Sequence, residues 1–342
     1  MAVLCLALIL SLGALSILYF NRSEPPEVRL EVNTPPPGDP VSFAISPDGR
    51  RLVFSALNEG QLQLWVRPLD SVAAQPLGGT AGAIYPFWSP DSESVALFAD
   101  GKLKRIEIVG GAPQVLANAA VGRGGAWSRE GVILFAPAST GNLWKVPATG
   151  GEPAAVTQQQ AGQSSHRFPQ FLPDGLHFIY FVQGGPGQGI YAGSLDGGPS
   201  KHLLKTDAAA VVSPSGFLLF LGQGTLFAQP FDLKRQELSG KPFPLAEHVA
   251  FDGALNAVGV SAASGIVAYR SGVGIAAQPH MAGSIRQERR RGWRPRRNRV
   301  EGCGTVTRWK ARRRAADGQR EFRYLAYRCR AGRTHTVHVR RR

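Results

Sequence analysis

The chain has 342 residues, 43% of them hydrophobic, which is enough to bury one large domain or two ordinary ones. Its 41 glycines and 25 prolines favour an all-β protein with many turns over a helical protein. The net charge of +15 comes from residues 273–342, which contain 21 Lys and Arg but only 4 Asp and Glu. Residues 1–272 contain 18 Lys and Arg and 20 Asp and Glu, so they are nearly neutral. The overall charge is therefore no argument that the main body binds nucleic acid.

Residues 1–20 are predicted to form a transmembrane helix. Residues 2–20 contain no charged side chain, and at 1.5 Å per residue they span roughly 28 Å, close to the thickness of a bilayer core. A cleaved signal peptide is the alternative, but the segment lacks a basic start and a small-residue cleavage site. Residues 21–40 contain Pro-Pro and Pro-Pro-Pro runs, which are typical of an extended spacer between membrane and body.

A repeat of about 40–48 residues fills residues 41–272. Its turn positions are spaced by 43, 39, 44 and 41 residues, and the fifth and sixth copies are degenerate; the anchors are Asp48, Asp91, Glu130, Asp174 and Ser215. Ser-Pro-Asp-Gly forms a tight turn, since proline presets φ, aspartate caps the backbone and glycine accepts a positive φ. Each unit is predicted to be a four-stranded sheet, and radial stacking of such sheets gives an all-β β-propeller, here incomplete with five to six blades. A linear β-solenoid is the alternative.

The turn motif carries a family resemblance. Ser46-Pro47-Asp48-Gly49, Trp88-Ser89-Pro90-Asp91 and Leu172-Pro173-Asp174-Gly175 resemble the WD40-like repeats of TolB-type propellers. The run from Leu64 to Ile106 is similar to the extracytoplasmic propeller of some bacterial membrane-anchored serine/threonine protein kinases. The resemblance implies an architecture and a topology, but no catalytic residue, because the chain has no G-x-G-x-x-G loop, V-A-I-K, H-R-D or D-F-G motif.

No candidate set of catalytic, cofactor-binding or metal-binding residues emerges from the sequence. Asp48, Asp91 and Asp174 are interpreted as turn caps, and the glycine-rich run 184–189 as a hairpin loop, since it lies between two predicted strands. The histidines and tryptophans of the repeats are interpreted as structural, with metal binding and a stacking surface at the propeller mouth as the alternatives; they are His166, His177, His202, Trp65, Trp88, Trp127 and Trp144.

The basic tail, residues 273–342, is predicted to be disordered or the product of a frameshift. From Arg286 onward it contains 20 arginines and a single lysine, a bias typical of a GC-rich gene read in another frame. The strand pattern ends after Gly272, so we expect the ring to remain open, with exposed edges on the first and last blades.

Together these features predict a non-catalytic, membrane-tethered propeller on the extracytoplasmic (periplasmic) side. It would act as a sensor, a ligand-binding module or a protein-interaction scaffold without a cofactor, and as a fragment of a kinase signalling protein. Its partner would be an unknown protein or small molecule bound at the propeller face. It would contact the membrane through residues 2–20. The alternatives are an enzyme with its active site in the propeller funnel and nucleic-acid binding through the tail; the latter requires salt-dependent binding that is lost when the tail is deleted.

Overall fold

The computed structural model describes residues 29–31, 34, 39, 41–271, 278–283 and 325–327. Within these residues the regular structure is entirely β, beginning with strand β1 (Arg29–Glu31), and no helix is long and apolar enough to span a bilayer. The predicted transmembrane helix of residues 1–20 lies outside the described residues, as do most of the spacer and most of the tail.

The first blade shows how the repeat folds. Strands β2 (Phe43–Ile45), β3 (Arg51–Asn58), β4 (Gln61–Pro68) and β5 (Gln75–Pro76) pair antiparallel in chain order. The turn after β2 places Gly49 at a φ of 70°. The Asp48 carboxylate accepts the Arg50 N–H at 2.9 Å, and the Ser46 hydroxyl accepts the Arg51 N–H at 2.9 Å. The motif thus satisfies the backbone groups of the turn and starts β3 in register.

Four more sheets repeat this order. The second blade comprises β6 (Ile84–Trp88), β7 (Ser94–Ala99), β8 (Lys102–Glu107) and β9 (Gln114–Asn118). The third comprises β10 (Gly125–Trp127), β11 (Val132–Phe135), β12 (Trp144–Pro147) and β13 (Ala154–Ala155). The fourth comprises β14 (Ser165–Phe171), β15 (His177–Gln183), β16 (Gly189–Ser194) and β17 (Lys201–Lys205). The fifth comprises β18 (Val211–Ser213), β19 (Phe217–Gly222), β20 (Thr225–Asp232) and β21 (Glu237–Leu238) in this order, and an additional strand, β22 (Phe243–Ala246), also pairs with β20. The predicted all-β propeller with four-stranded blades is confirmed.

A sixth sheet lies between the fifth blade and the first. After a short hairpin of β23 (Phe251–Asp252) and β24 (Ala257–Val258), the chain forms β25 (Val260–Ala263) and β26 (Ile266–Ser271). The sheet continues through β27 (Gln278–Gly283) and β1 to β28 (Leu325–Tyr327). A strand that precedes the first blade in sequence therefore completes the last sheet, the arrangement by which propellers join their two termini.

In the part of the chain that the structure describes, the hydrophobic core consists of six clusters, one at each contact between neighbouring sheets. The cluster between the sixth sheet and the first blade contains Phe54, Ile266 and Ala268, each at most 2% exposed. A hydrogen bond of 3.0 Å from the Ile45 N–H to the Ser261 hydroxyl crosses the same contact. The degenerate sixth repeat thus still buries apolar side chains against the first blade. Most of the tail, on which the expectation of exposed blade edges depends, lies outside the described residues.

Candidate functional site: the central channel

A cavity of about 650 Å³ occupies the centre of the ring. The inner strands of all six sheets line it, so its position follows from the radial packing of the repeats. The walls are largely apolar; Phe43, Phe87, Val212 and Val260 are typical of them. Among the described residues that line the cavity, Arg129 alone carries a formal charge. Cavities of this volume, apolar with a few polar groups, are the usual binding sites for small molecules in proteins.

The repeat turns form one mouth of this channel. The prolines of four turns line it, namely Pro47, Pro90, Pro173 and Pro214. In the third blade the equivalent turn reads Ser128-Arg129-Glu130-Gly131, so Arg129 replaces the proline. This mouth therefore has a rigid, nearly uniform rim that one cationic side chain interrupts.

Two aromatic side chains meet at the opposite end. The rings of Tyr85 and Phe168 stand edge to face with their centroids 5.7 Å apart, and both residues line the channel. Each has a positive φ, 49° and 48°, and lies at a β-bulge of its inner strand. A bulge re-aims a side chain relative to strict alternation, which explains how strands of the second and fourth blades direct a ring toward the axis. Positive φ is costly for bulky residues, and such strain is concentrated at functional sites.

The third blade makes room for these rings. A Cβ on Gly124, whose φ is 82°, would lie 2.7 Å from the Phe168 ring and 3.0 Å from the Phe168 Cα. A Cβ on Gly125 would lie 2.5 Å from the ring of Phe87. Glycine is therefore required at both positions by the close approach of neighbouring aromatic rings.

Charged groups surround the aromatic end. Burial raises the pKa of the Asp39 carboxyl, which accepts the Val41 N–H at 2.9 Å and lies near Arg270. Burial, together with the neighbouring Asp39 charge, also raises the pKa of the Tyr85 hydroxyl. Arg270 is fully buried, donates to the Asp39 carbonyl at 3.1 Å and lies 5.3 Å from the centroid of the Phe43 ring. Tyr85 is thus kept protonated and held in place from behind the channel wall.

Arg167 links three blades at the same end. Its guanidinium donates to the carbonyl oxygens of Ser139 at 2.7 Å and Leu255 at 3.1 Å, and to the Ser165 hydroxyl at 2.8 Å. Burial and the nearby Arg123 lower the pKa of Arg167, but the three acceptors form hydrogen bonds with its guanidinium N–H groups and stabilise the charged form. Arg167 is therefore a structural residue, and no sequence pattern pointed to it beyond its position beside the inner-strand aromatic Phe168.

The three repeat aspartates lie where the sequence predicted, in equivalent turns. Hydrogen bonds from the Ser89 hydroxyl and the Glu93 N–H lower the pKa of Asp91. Burial opposes the charged form of Asp174, but bonds from His177 and two backbone N–H groups outweigh it, so its pKa is also lowered. Each carboxylate is directed back onto its own turn, as turn caps are.

The histidines do not share a site. His166 is 1% exposed and contacts Thr157 and Gln163, and burial lowers its pKa to about 4. His177 pairs with Asp174 at 2.7 Å in an exposed turn, while the His202 ring lies against Tyr191 with centroids 4.9 Å apart. Among the described residues no group of three or more His, Cys, Asp or Glu side chains converges as a metal site would require.

The tryptophans divide into two pairs. Trp65 and Trp144 occupy matching positions on the third strands of their blades, opposite Phe54 and Phe135 respectively. Trp144 is 36% exposed, so core packing does not account for it. Trp88 and Trp127 line the channel, where Trp88 donates to the Ala44 carbonyl at 3.0 Å. The glycine-rich run 184–189 connects β15 and β16, which confirms the predicted hairpin loop.

No protein-family model matches the sequence, and no curated protein is significantly similar to it. Solved structures nevertheless share its fold. TolB from Acinetobacter baumannii aligns with a TM-score of 0.50 and 12% identity over 64% of this chain and 64% of that chain. The chain thus covers less than two thirds of that structure's length.

Two further structures align at lower scores. A putative TolB from Agrobacterium tumefaciens gives a TM-score of 0.46 at 16% identity, over 66% of this chain and 91% of that one. An oligogalacturonate lyase in complex with manganese gives 0.47 at 13% identity, over 73% and 80%. At these identities the first comparison shows the fold alone: the chain adopts a TolB-like β-propeller fold.

Proposed function

We propose that this propeller is a non-catalytic binding module that senses or scaffolds through its central channel. The channel itself supports this most. It is a largely apolar cavity of about 650 Å³ with two aromatic residues at one end, both of which have a positive backbone φ. A wall of this kind holds an apolar or aromatic group by removing its surface from water, at roughly 25 cal/mol per Å² buried. The channel is preformed by six rigid sheets, so little ordering opposes binding.

The proposal includes a membrane-tethered location. The uncharged run 2–20 would anchor the chain, residues 21–40 would extend the body from the bilayer, and the propeller would lie on the extracytoplasmic side. The resemblance of Leu64 to Ile106 to propellers of membrane-anchored kinases supports a role as the sensing part of a signalling protein. In that role an occupied channel would report a ligand or partner to the rest of the protein.

Filling the channel tests the proposal. Ala44 and Ala262 line it from the first and sixth sheets and are only partly buried, so Ala44→Phe and Ala262→Phe should narrow it without replacing a core residue. The probe is 1-naphthalenemethanol, an uncharged aromatic alcohol, followed by ligand-observed NMR on the purified full chain. Val72→Phe is the matched control, because Val72 is 92% exposed on a surface turn.

We expect the probe to bind wild type and Val72→Phe alike and to bind both channel variants at least tenfold more weakly. Binding that is unchanged by either channel substitution would place the probe elsewhere and reject the proposal, as would the lack of any binding to wild type. Turnover of a substrate that depends on residues of the channel wall would favour the funnel enzyme instead.

A further inference from the structure

Among the described residues one charged side chain lines the channel, and the fold does not use it. The hydroxyl and amide groups of the channel lining all serve structure. The Ser128 hydroxyl accepts the Val132 N–H at 3.3 Å, and the Gln170 amide exchanges two bonds with the Val212 backbone at 2.7 and 2.9 Å. Ser261 accepts the Ile45 N–H, Ser264 donates to the Pro47 carbonyl, and Tyr85 is bonded to Asp39. Arg129, in contrast, makes no hydrogen bond or ion pair with any residue in the described part of the chain.

The repeat pattern makes Arg129 conspicuous. Four other turns place proline at this position, so neither the turn nor the packing of the blade requires a long cationic side chain here. The Arg129 backbone N–H donates no hydrogen bond within the turn, where the Gly131 N–H donates to the Ser128 carbonyl at 3.2 Å. Proline would therefore satisfy the fold at position 129 as it does in the equivalent turns.

The carboxylates near this mouth do not neutralise Arg129. Asp48, Asp91 and Asp174 are held by groups of their own turns, and none of them lines the cavity. The Glu130 carboxylate is directed toward the neighbouring blade, where it packs against the backbone at Gly175. A guanidinium beside low-dielectric walls attracts an anionic group more strongly than one in open water does.

We propose that the channel binds an amphipathic carboxylate, with its apolar body inside the ring and its charged group on Arg129. The inference rests on the proposed function and specifies its ligand class. Arg129 is a single charge beside a largely apolar wall, so tight binding requires apolar surface on the ligand as well as charge. A carboxylate accepts two parallel hydrogen bonds from one guanidinium, which fixes the orientation of the ligand in the channel.

The test compares three probes with one ring system and different charge: 1-naphthoate, 1-naphthalenemethanol and 1-naphthylmethylammonium. Dissociation constants are measured by calorimetry on the full chain at low ionic strength. Arg129→Pro introduces the proline that four other turns have at this position, and Arg129→Lys keeps the charge but not the planar fork. Arg50→Ala is the matched control, since it removes an exposed arginine near the first-blade turn, outside the cavity lining.

We expect naphthoate to bind wild type most tightly and to lose about tenfold or more in affinity in Arg129→Pro, as removal of a charge-assisted hydrogen bond does. The alcohol should bind both proteins within twofold, Arg129→Lys should fall between, and Arg50→Ala should match wild type. If the alcohol binds in the channel but naphthoate is indifferent to position 129, or if the ammonium probe binds best, the inference is overturned while the proposed function stands. If no probe binds wild type, the proposed function fails and the inference fails with it.

Discussion

Acidification should weaken the fourth blade through His166. The neutral ring is placed by two fixed neighbours: the Gln163 Oε1 also accepts the Gln160 N–H at 2.9 Å, and the Thr157 Oγ1 also accepts the Leu143 N–H at 2.9 Å. Hence Nε2–H donates to Gln163 at 3.0 Å and Nδ1 accepts the Thr157 hydroxyl proton at 2.7 Å. A second ring proton would point at a hydroxyl already oriented as a donor, in a site that is 1% exposed.

The size of the stability loss follows from the difference in the His166 pKa between the folded and the unfolded chain. Burial lowers the His166 pKa from 6.5 to about 4, so the unfolded chain binds this proton more readily than the folded chain does. Stability from this group is complete above pH 6.5 and is lost as pH falls toward 4. Between pH 7.5 and pH 5 the loss should be about 2 kcal/mol.

Denaturant unfolding at several pH values measures this loss, with His166→Gln as the variant that cannot titrate. The difference in unfolding free energy between wild type and variant should narrow on acidification by about 2 kcal/mol. His248→Gln is the control, because His248 is exposed and forms no ion pair within the described part of the chain. An NMR titration in which the folded-state His166 ring titrates near 6.5 would contradict this prediction.

Two further predictions concern the aromatic end and the anchor. Gly124→Ala should destabilise the protein by about 2–4 kcal/mol in chemical unfolding, because the new Cβ would meet Phe168. Gly131 has a φ of 77° and open space around it, so Gly131→Ala should cost only about 1 kcal/mol. Equal costs would show that Phe168 is not packed against position 124. The full chain should sediment with membranes and require detergent, whereas a chain starting at Pro25 should not; full-length protein that stays in the aqueous fraction after a carbonate wash would contradict the anchor.

The blades could be predicted from the sequence because the clear repeats each contain their own turn motif. Ser-Pro-Asp-Gly fixes a hairpin locally, and the spacing of the turns then fixes the number of strands per unit. Contact between the sixth sheet and the first blade could not be predicted from a local signal, since it depends on Phe54 and Ile266, which are more than 200 residues apart. Degeneracy of the sixth repeat removed the turn motif but kept the apolar residues that pack.

The site was less predictable than the fold. Bulges at Tyr85 and Phe168 change which side chains face the axis, and strict strand alternation cannot anticipate a bulge. Arg129 did carry a signal, because it stands where four other turns have proline. The sequence does not show that position 129 lines a cavity, because this follows only from the arrangement of the repeat turns around the channel.

Intermolecular nuclear Overhauser effects decide whether the channel is the ligand-binding site. The full chain would be labelled at alanine and valine methyl groups and mixed with 1-naphthoate. We expect contacts from the probe's ring protons to Ala44, Ala262 and Val212, which line the cavity on three sheets. Contacts confined to Val72 and Val109, which are 92% and 84% exposed on outer turns, would contradict it.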